Sequence, residues 1–142
     1  MLLALVVVSA GVAQTSAGHG LLKDVGLFQA PPSYTELAFT NPQSLPTQLS
    51  SEQASIPVSF GIHNVSGSSH TYRWSIELVR SGRSQLKAAG VVSAPAQGRA
   101  TVDRTVAMPC VGGQLQVVAR LASPAESIDL WVACAPSGRS GP

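Results

Sequence analysis

Charged side chains are scarce in this chain of 142 residues. Asp, Glu, Lys and Arg together make up 11% of it, whereas soluble domains commonly contain about 25%. The net charge at neutral pH is only +2, because seven arginines and two lysines nearly balance seven carboxylates. Proteins that bind nucleic acid normally concentrate basic side chains on one face. The composition therefore argues against a nucleic-acid partner.

Catalytic motifs are missing as well. The seven carboxylates are scattered along the chain, and there is no Gly-x-Ser-x-Gly nucleophile motif and no glycine-rich phosphate loop. The two cysteines are better used in a disulfide than as nucleophiles. We therefore predict that the protein is not an enzyme and holds no cofactor.

The three histidines do not form a metal-binding pattern. His63 is expected to face outward at the end of a strand and His70 lies in the following loop, so the two can approach each other. Two imidazoles alone are not a metal site. Met108-Pro109-Cys110 also lacks the histidine that copper-binding sandwiches place on a late loop. We predict no metal ligands and keep a small metal carrier using His63 and His70 as a remote alternative.

One long hydrophobic run opens the chain. Met1 to Ala13 carries no charge and has the length of the apolar region of a signal peptide. No basic residue precedes it, which predicts that Met1 lies inside a longer membrane anchor; a buried helix or strand of the domain is the alternative. We therefore predict a signal peptide or membrane anchor, in the form of a hydrophobic helix, over residues 1–22. A stalk over residues 23–33 follows, ended by a proline pair.

Beyond the stalk, the hydrophobic pattern changes to strict alternation. Ile56, Val58, Phe60 and Ile62 share one parity in the first clear run, and Trp74 lies in the apolar parity of the second. Alternation with period two indicates strands that bury one face only, as in antiparallel sheets. Seven such runs lie between residues 34 and 134: residues 34–40, 55–64, 71–80, 85–92, 99–107, 114–121 and 127–133.

Seven short strands with turn signals every eight to twelve residues are typical of one fold class. They predict an all-β domain, a seven-stranded antiparallel sandwich of immunoglobulin-like or fibronectin-like type over residues 34–134. We predict a weak fourth strand, broken at Ala88-Ala89-Gly90, and a disordered tail over residues 135–142.

The two cysteines bracket the last hairpin. Cys110 and Cys134 lie at its outer ends, and Gly112 and Gly113 supply the slack that brings them together. An even pair of cysteines in an exported domain is usually a disulfide. We predict the bond Cys110–Cys134, with two buried reduced thiols as the alternative.

A few side chains are left for a contact surface. Trp74 belongs to the core by parity, whereas Trp131 should point outward. A basic group on one hairpin can touch anionic headgroups or acidic polymer, or can simply be solvated. The predicted contact residues are Trp131, Arg73, Arg80, Arg83, His63 and His70. Asn64-Val65-Ser66 also matches a glycosylation sequon in an expected surface loop.

Several strand motifs carry a resemblance to bacterial surface proteins. Val58–Asn64 followed by Tyr72–Trp74 resembles immunoglobulin-like domains of the cell-adhesion-related class. Together with Tyr34–Phe39 and Glu126–Val132, the chain is similar to membrane-anchored or exported actinobacterial proteins of unknown function. This resemblance covers residues 34–134 and implies fold and location without any catalytic residue.

The leading hypothesis is thus a non-enzymatic β-sandwich outside the cytoplasmic membrane. It would be anchored there or secreted, with a binding or structural role towards a protein or polymer of the cell envelope. The alternative is an accessory subunit of an envelope polymer export or glycosyltransfer assembly, joined through an exposed sheet edge or Trp131.

Overall fold

The computed structural model describes residues 32–50, 55–110 and 112–135. Eight strands form in these ranges, and a short 3-10 helix, Pro42–Ser44, lies in the first connection. The strands are β1 (Tyr34–Phe39), β2 (Gln48–Leu49), β3 (Ser55–Val65), β4 (His70–Arg80), β5 (Arg83–Ala94), β6 (Gly98–Ala107), β7 (Gly113–Leu121) and β8 (Glu126–Cys134).

The strands form the two sheets of a β-sandwich. One sheet has the order β1-β3-β6, and the other has the order β2-β8-β7-β4-β5. The seven longer strands pair only antiparallel. All seven predicted strands are therefore confirmed, and their ends differ from prediction by at most two residues.

The core consists of the apolar side chains at the alternate strand positions that were predicted to face inward. Phe60 is fully buried on β3 and Trp74 is 4% exposed on β4. Their rings meet edge to face across the two sheets, with centroids 6.0 Å apart, a favoured arrangement for aromatic pairs. The prediction that Trp74 is a core residue is confirmed.

The strand count and the purely antiparallel arrangement were wrong. The eighth strand is β2, two residues long, which pairs parallel to the end of β8. Leu49 is 1% exposed, and its carbonyl accepts a hydrogen bond of 2.9 Å from the amide of Ala135. Two residues cannot show a period, so the sequence pattern could not reveal this strand within a proline-bearing connection.

The predicted break in the fourth strand was also wrong, because β5 runs without interruption. Ala88 pairs with Ile76 and Leu86 with Glu77, so Lys87 is an extra residue that forms a β-bulge. Gly90 lies in register with Trp74. A Cβ on Gly90 would lie only 2.7 Å from Cζ2 of Trp74, so glycine is needed here for the close approach of the indole.

The predicted disulfide between Cys110 and Cys134 is present, with Cα atoms 5.3 Å apart. It ties the segment after β6 to the end of β8, and it indicates an oxidising, extracytoplasmic environment. The predictions of an anchor, a stalk and a tail fall almost entirely outside the described residues. Within the described ranges, no helix is long and apolar enough to cross a membrane.

Candidate functional site

The outer face of the five-stranded sheet carries three large apolar side chains that are exposed. Leu86 and Val91 on β5 are 61% and 62% exposed, and Trp131 on β8 is 56% exposed. Registers place them on one face, because Leu86 pairs with Glu77, Val91 with Arg73, and Trp131 with Gln116. We call this surface the Trp131 face. The prediction that Trp131 points outward is confirmed.

Polar pairs occupy the middle of the Trp131 face. The amide of Gln116 donates to Asp129 at 2.8 Å, and the Ser84 hydroxyl donates to Glu77 at 2.6 Å. Arg120 lies 3.6 Å from the same glutamate, in a solvent-exposed pair of small energetic value. The apolar side chains therefore flank a polar strip rather than form one continuous patch.

Val118 lies on the same outer face but is buried by the side chains around it. It shares the outward parity of its neighbours Glu77 and Asp129 in the register, yet it is only 4% exposed. A single valine among polar residues gives no sequence signal for burial. Sequence reasoning also missed Leu86 and Val91. The extra residue Lys87 breaks the alternation of β5, so the face on which these two side chains lie becomes clear only from the pairing of β5 with β4.

The three predicted arginines do not form one cluster. Arg73 has the outward parity of β4, whereas Arg80 has the inward parity at the far end of the same strand. They are seven positions apart along the strand, about 23 Å. Arg80 donates from Nη2 to the carbonyl of Pro109 at 3.0 Å, and Arg83 pairs with Arg80 across a two-residue turn. The basic hairpin predicted as a single surface is therefore divided between two places.

The two predicted histidines belong to different sheets. His63 lies on the outer face of the three-stranded sheet, where Nδ1 is 2.8 Å from a carboxylate oxygen of Glu36. The hydrogen bond with His63 lowers the pKa of Glu36 below its ordinary value. Glu36, His63 and Arg99 lie side by side on neighbouring strands, because His63 is in register with both of the others. Sequence reasoning missed Glu36 as the partner because the contact joins residues 27 positions apart.

His70 instead packs against an aromatic ring at one end of the sandwich. Its ring centroid lies 4.6 Å from that of Tyr72. Within the described part of the chain, no three His, Cys, Asp or Glu side chains form a group able to hold a metal.

The sequon asparagine is part of the fold rather than of a surface loop, so that prediction was wrong. Asn64 is 1% exposed. Its Nδ2 donates to the carbonyls of Ser68 at 2.8 Å and Pro95 at 2.9 Å, and its Oδ1 accepts from the Ser66 hydroxyl at 2.7 Å. The amide nitrogen that would carry a glycan is therefore enclosed in the folded domain.

Comparison with known proteins shows a similarity of fold to solved structures and no match in sequence. No family model matches the sequence, and no curated protein matches it. Solved structures do match: a beta-glucosidase from Listeria innocua in complex with glucose has a TM-score of 0.57 and 18% identity over 78% of this chain. A beta-glucosidase from Erythrobacter marinus has a TM-score of 0.52 and 13% identity over 73% of this chain.

The shared region is a small part of those enzymes. This chain covers 17% of the Listeria innocua protein and 16% of the Erythrobacter marinus protein. At such low identity the similarity establishes a common fold only. The chain is thus a disulfide-containing β-sandwich whose fold also occurs within longer chains.

Proposed function

We propose that this protein is a non-enzymatic, extracytoplasmic binding module of immunoglobulin-like or fibronectin-like type. It binds a protein of the cell envelope through the Trp131 face. The N-terminal segment, residues 1–22, directs its export or anchors it to the cytoplasmic membrane, as in the actinobacterial proteins that the chain resembles.

The exposed indole of Trp131 is the observation that carries this proposal. Tryptophan is enriched at protein interfaces, where burial of its large ring contributes much of the binding energy. Trp131 shares its face with Leu86 and Val91, and all three are more than half exposed. Leu86 and Val91 alone would be ordinary exposed residues, and the large exposed indole is what singles out this face.

The polar strip suits the same role. Gln116 is hydrogen bonded to Asp129, and Arg120 lies 3.6 Å from Glu77. A partner therefore meets a surface with apolar margins and a polar centre. The disulfide supports the location, because such bonds persist in oxidising compartments.

A photocrosslinking experiment in cells tests this proposal. A benzoylphenylalanine residue replaces Leu86 in the full chain, and in a matched control it replaces Thr101, which is exposed on β6 in the other sheet. We expect a discrete adduct from position 86 and none from position 101. Trp131→Ala, combined with the crosslinker at position 86, should reduce the adduct about tenfold.

Equal crosslinking from both positions, or an adduct unaffected by Trp131→Ala, would refute the assignment of this face. The identity of the adduct separates two roles. A one-to-one partner that co-purifies with the intact N-terminal segment would make the chain an accessory subunit of an envelope assembly. A free-standing module should return no stoichiometric partner after purification.

A further inference from the structure

A cleft lies at one end of the sandwich, away from the Trp131 face. It has a volume of about 430 Å³. The start of β1, the connection from β3 to β4 and the turn from β7 to β8 form its walls. Its lining includes Tyr34, Thr35, His70, Tyr72, Ser123 and Glu126.

Aromatic rings provide one side of this end cleft. The accessible rings are those of Tyr34, which is 47% exposed, and His70, which is exposed. The His70 ring packs against Tyr72 with centroids 4.6 Å apart, and Tyr72 itself is only 1% exposed. Rings of this kind offer an apolar surface together with a polar atom. A non-aromatic ring with C–H groups on its face can therefore stack there while its substituents reach polar groups.

The frame of the end cleft is already fixed without a ligand. The hydroxyls of Thr35 and Tyr72 are hydrogen bonded at 3.0 Å, which joins β1 to β4. Asn64, also in the lining, is buried and holds both the β3–β4 connection and the segment after β5 through its side-chain amide. Little ordering is then needed on binding, which favours affinity for a small ligand.

Three polar groups in the lining remain available. The Glu126 carboxylate, the Ser123 hydroxyl and the ring nitrogens of His70 make no hydrogen bond or ion pair with any residue in the described ranges. The carboxylate accepts, the hydroxyl both donates and accepts, and a neutral imidazole does one at each nitrogen. This mixture matches a ligand whose own groups both donate and accept, which is the property of hydroxyl groups.

From this geometry we propose that the end cleft binds one saccharide unit of a neutral carbohydrate. The sugar ring stacks on the exposed His70 ring, which packs against the buried Tyr72 ring, and its hydroxyls bond to Glu126 and Ser123. A cationic side chain is a poorer match, because ammonium and guanidinium groups only donate hydrogen bonds and would leave the hydrogen of the Ser123 hydroxyl without an acceptor. The inference is independent of the Trp131 face and stands or falls separately from it.

Saturation-transfer NMR on the full chain tests the inference, with cellotetraose, tetra-N-acetylchitotetraose and mannotetraose as probes. We expect transfer to the ring protons of at least one of them. His70→Ala should weaken that binding about tenfold, through loss of the stacking surface. Glu126→Gln should weaken it severalfold, and Trp131→Ala should leave it unchanged.

Ser123→Phe is the second variant, because it fills the end cleft from an exposed turn without touching the core. It should abolish binding while circular dichroism shows an unchanged melting temperature. The inference is overturned if none of the three saccharides receives saturation from the wild type. It is also overturned if folded His70→Ala and Ser123→Phe proteins bind as the wild type does, or if tetralysine binds and the saccharides do not.

Discussion

Replacing Gly90 by alanine should destabilise the domain, contrary to the usual effect of that change in a strand. The added Cβ would lie 2.7 Å from Cζ2 and 3.0 Å from Cε2 of Trp74, well inside ordinary contact. The indole has little freedom to retreat. Phe60 meets it edge to face, and the Arg104 guanidinium lies over the ring, 5.1 Å from its centroid.

Two opposing effects set the magnitude. Overpacking a filled core costs about 1–3 kcal/mol, whereas the lower entropy of the unfolded chain favours alanine by about 0.4–1 kcal/mol. The steric cost is the larger because the atoms in the way belong to a rigid ring. We expect Gly90→Ala to lower the free energy of unfolding by about 1–2 kcal/mol. That loss corresponds to a melting temperature lower by roughly 5–15 °C for a domain of this size.

Gly61→Ala provides the matched control, because Gly61 lies in the middle of β3, where a Cβ would meet nothing closer than the Ala100 carbonyl at 4.0 Å. This variant should be as stable as the wild type or gain about 0.5 kcal/mol. Urea denaturation with the disulfide intact, monitored by tryptophan fluorescence, gives the unfolding midpoints of both variants. Equal midpoints for Gly90→Ala and Gly61→Ala would show that the indole is not held against β5 as described.

Three further predictions concern the contacts that hold the rest of the domain. Asn64→Ala should reduce stability by about 2–3 kcal/mol, because it removes the donor of one buried hydrogen bond, to the Ala94 carbonyl, and of two part-buried ones, to Ser68 and Pro95; urea midpoints measure the loss, and an unchanged midpoint would contradict the hydrogen bonding. Reduction of Cys110–Cys134, whose residues are 24 positions apart, should cost about 3.5 kcal/mol in the chain-entropy model, visible as a lower melting temperature in dithiothreitol than in buffer alone. The pKa of Glu36 is lowered in the folded state, so its stabilising effect is present above the unfolded pKa and is lost as the pH falls through the folded value. A carboxyl-detected NMR titration should show that midpoint rising towards the ordinary value in His63→Ala, because His63 is the largest cause of the lowered pKa; an unchanged midpoint would exclude the imidazole as the cause.

Strand identity could be predicted almost completely from the sequence. Alternation between Ser55 and Val65 and between His70 and Arg80 is set by which side chains avoid water, and that information is local. The same parity placed Trp74 inside and Trp131 outside, and both placements hold in the structure. The disulfide followed from the hairpin between the cysteines, because the outer ends of a hairpin must be neighbours.

Contacts between strands that are distant in the sequence could not be predicted from alternation. The pairing of β1 with β3 creates the contact between Glu36 and His63, and the opposite parities of Arg73 and Arg80 divide a group that looks continuous in the sequence. Asn64 appears exposed by composition, because asparagine before a polar loop is common at surfaces. Its burial depends on carbonyls that lie about 30 residues away.

The sequence by itself determined an all-β domain, its seven long strands, the face that each strand buries and the covalent link between its ends. Each of these follows from side-chain polarity at a spacing of two residues or from the short connection of a hairpin. Only the tertiary structure decided the order of strands in each sheet, the parallel docking of β2, the close approach of Gly90 to Trp74, the Trp131 face and the end cleft. These features depend on how separate strands meet, because register and packing between sheets are set by the whole core and not by any one segment.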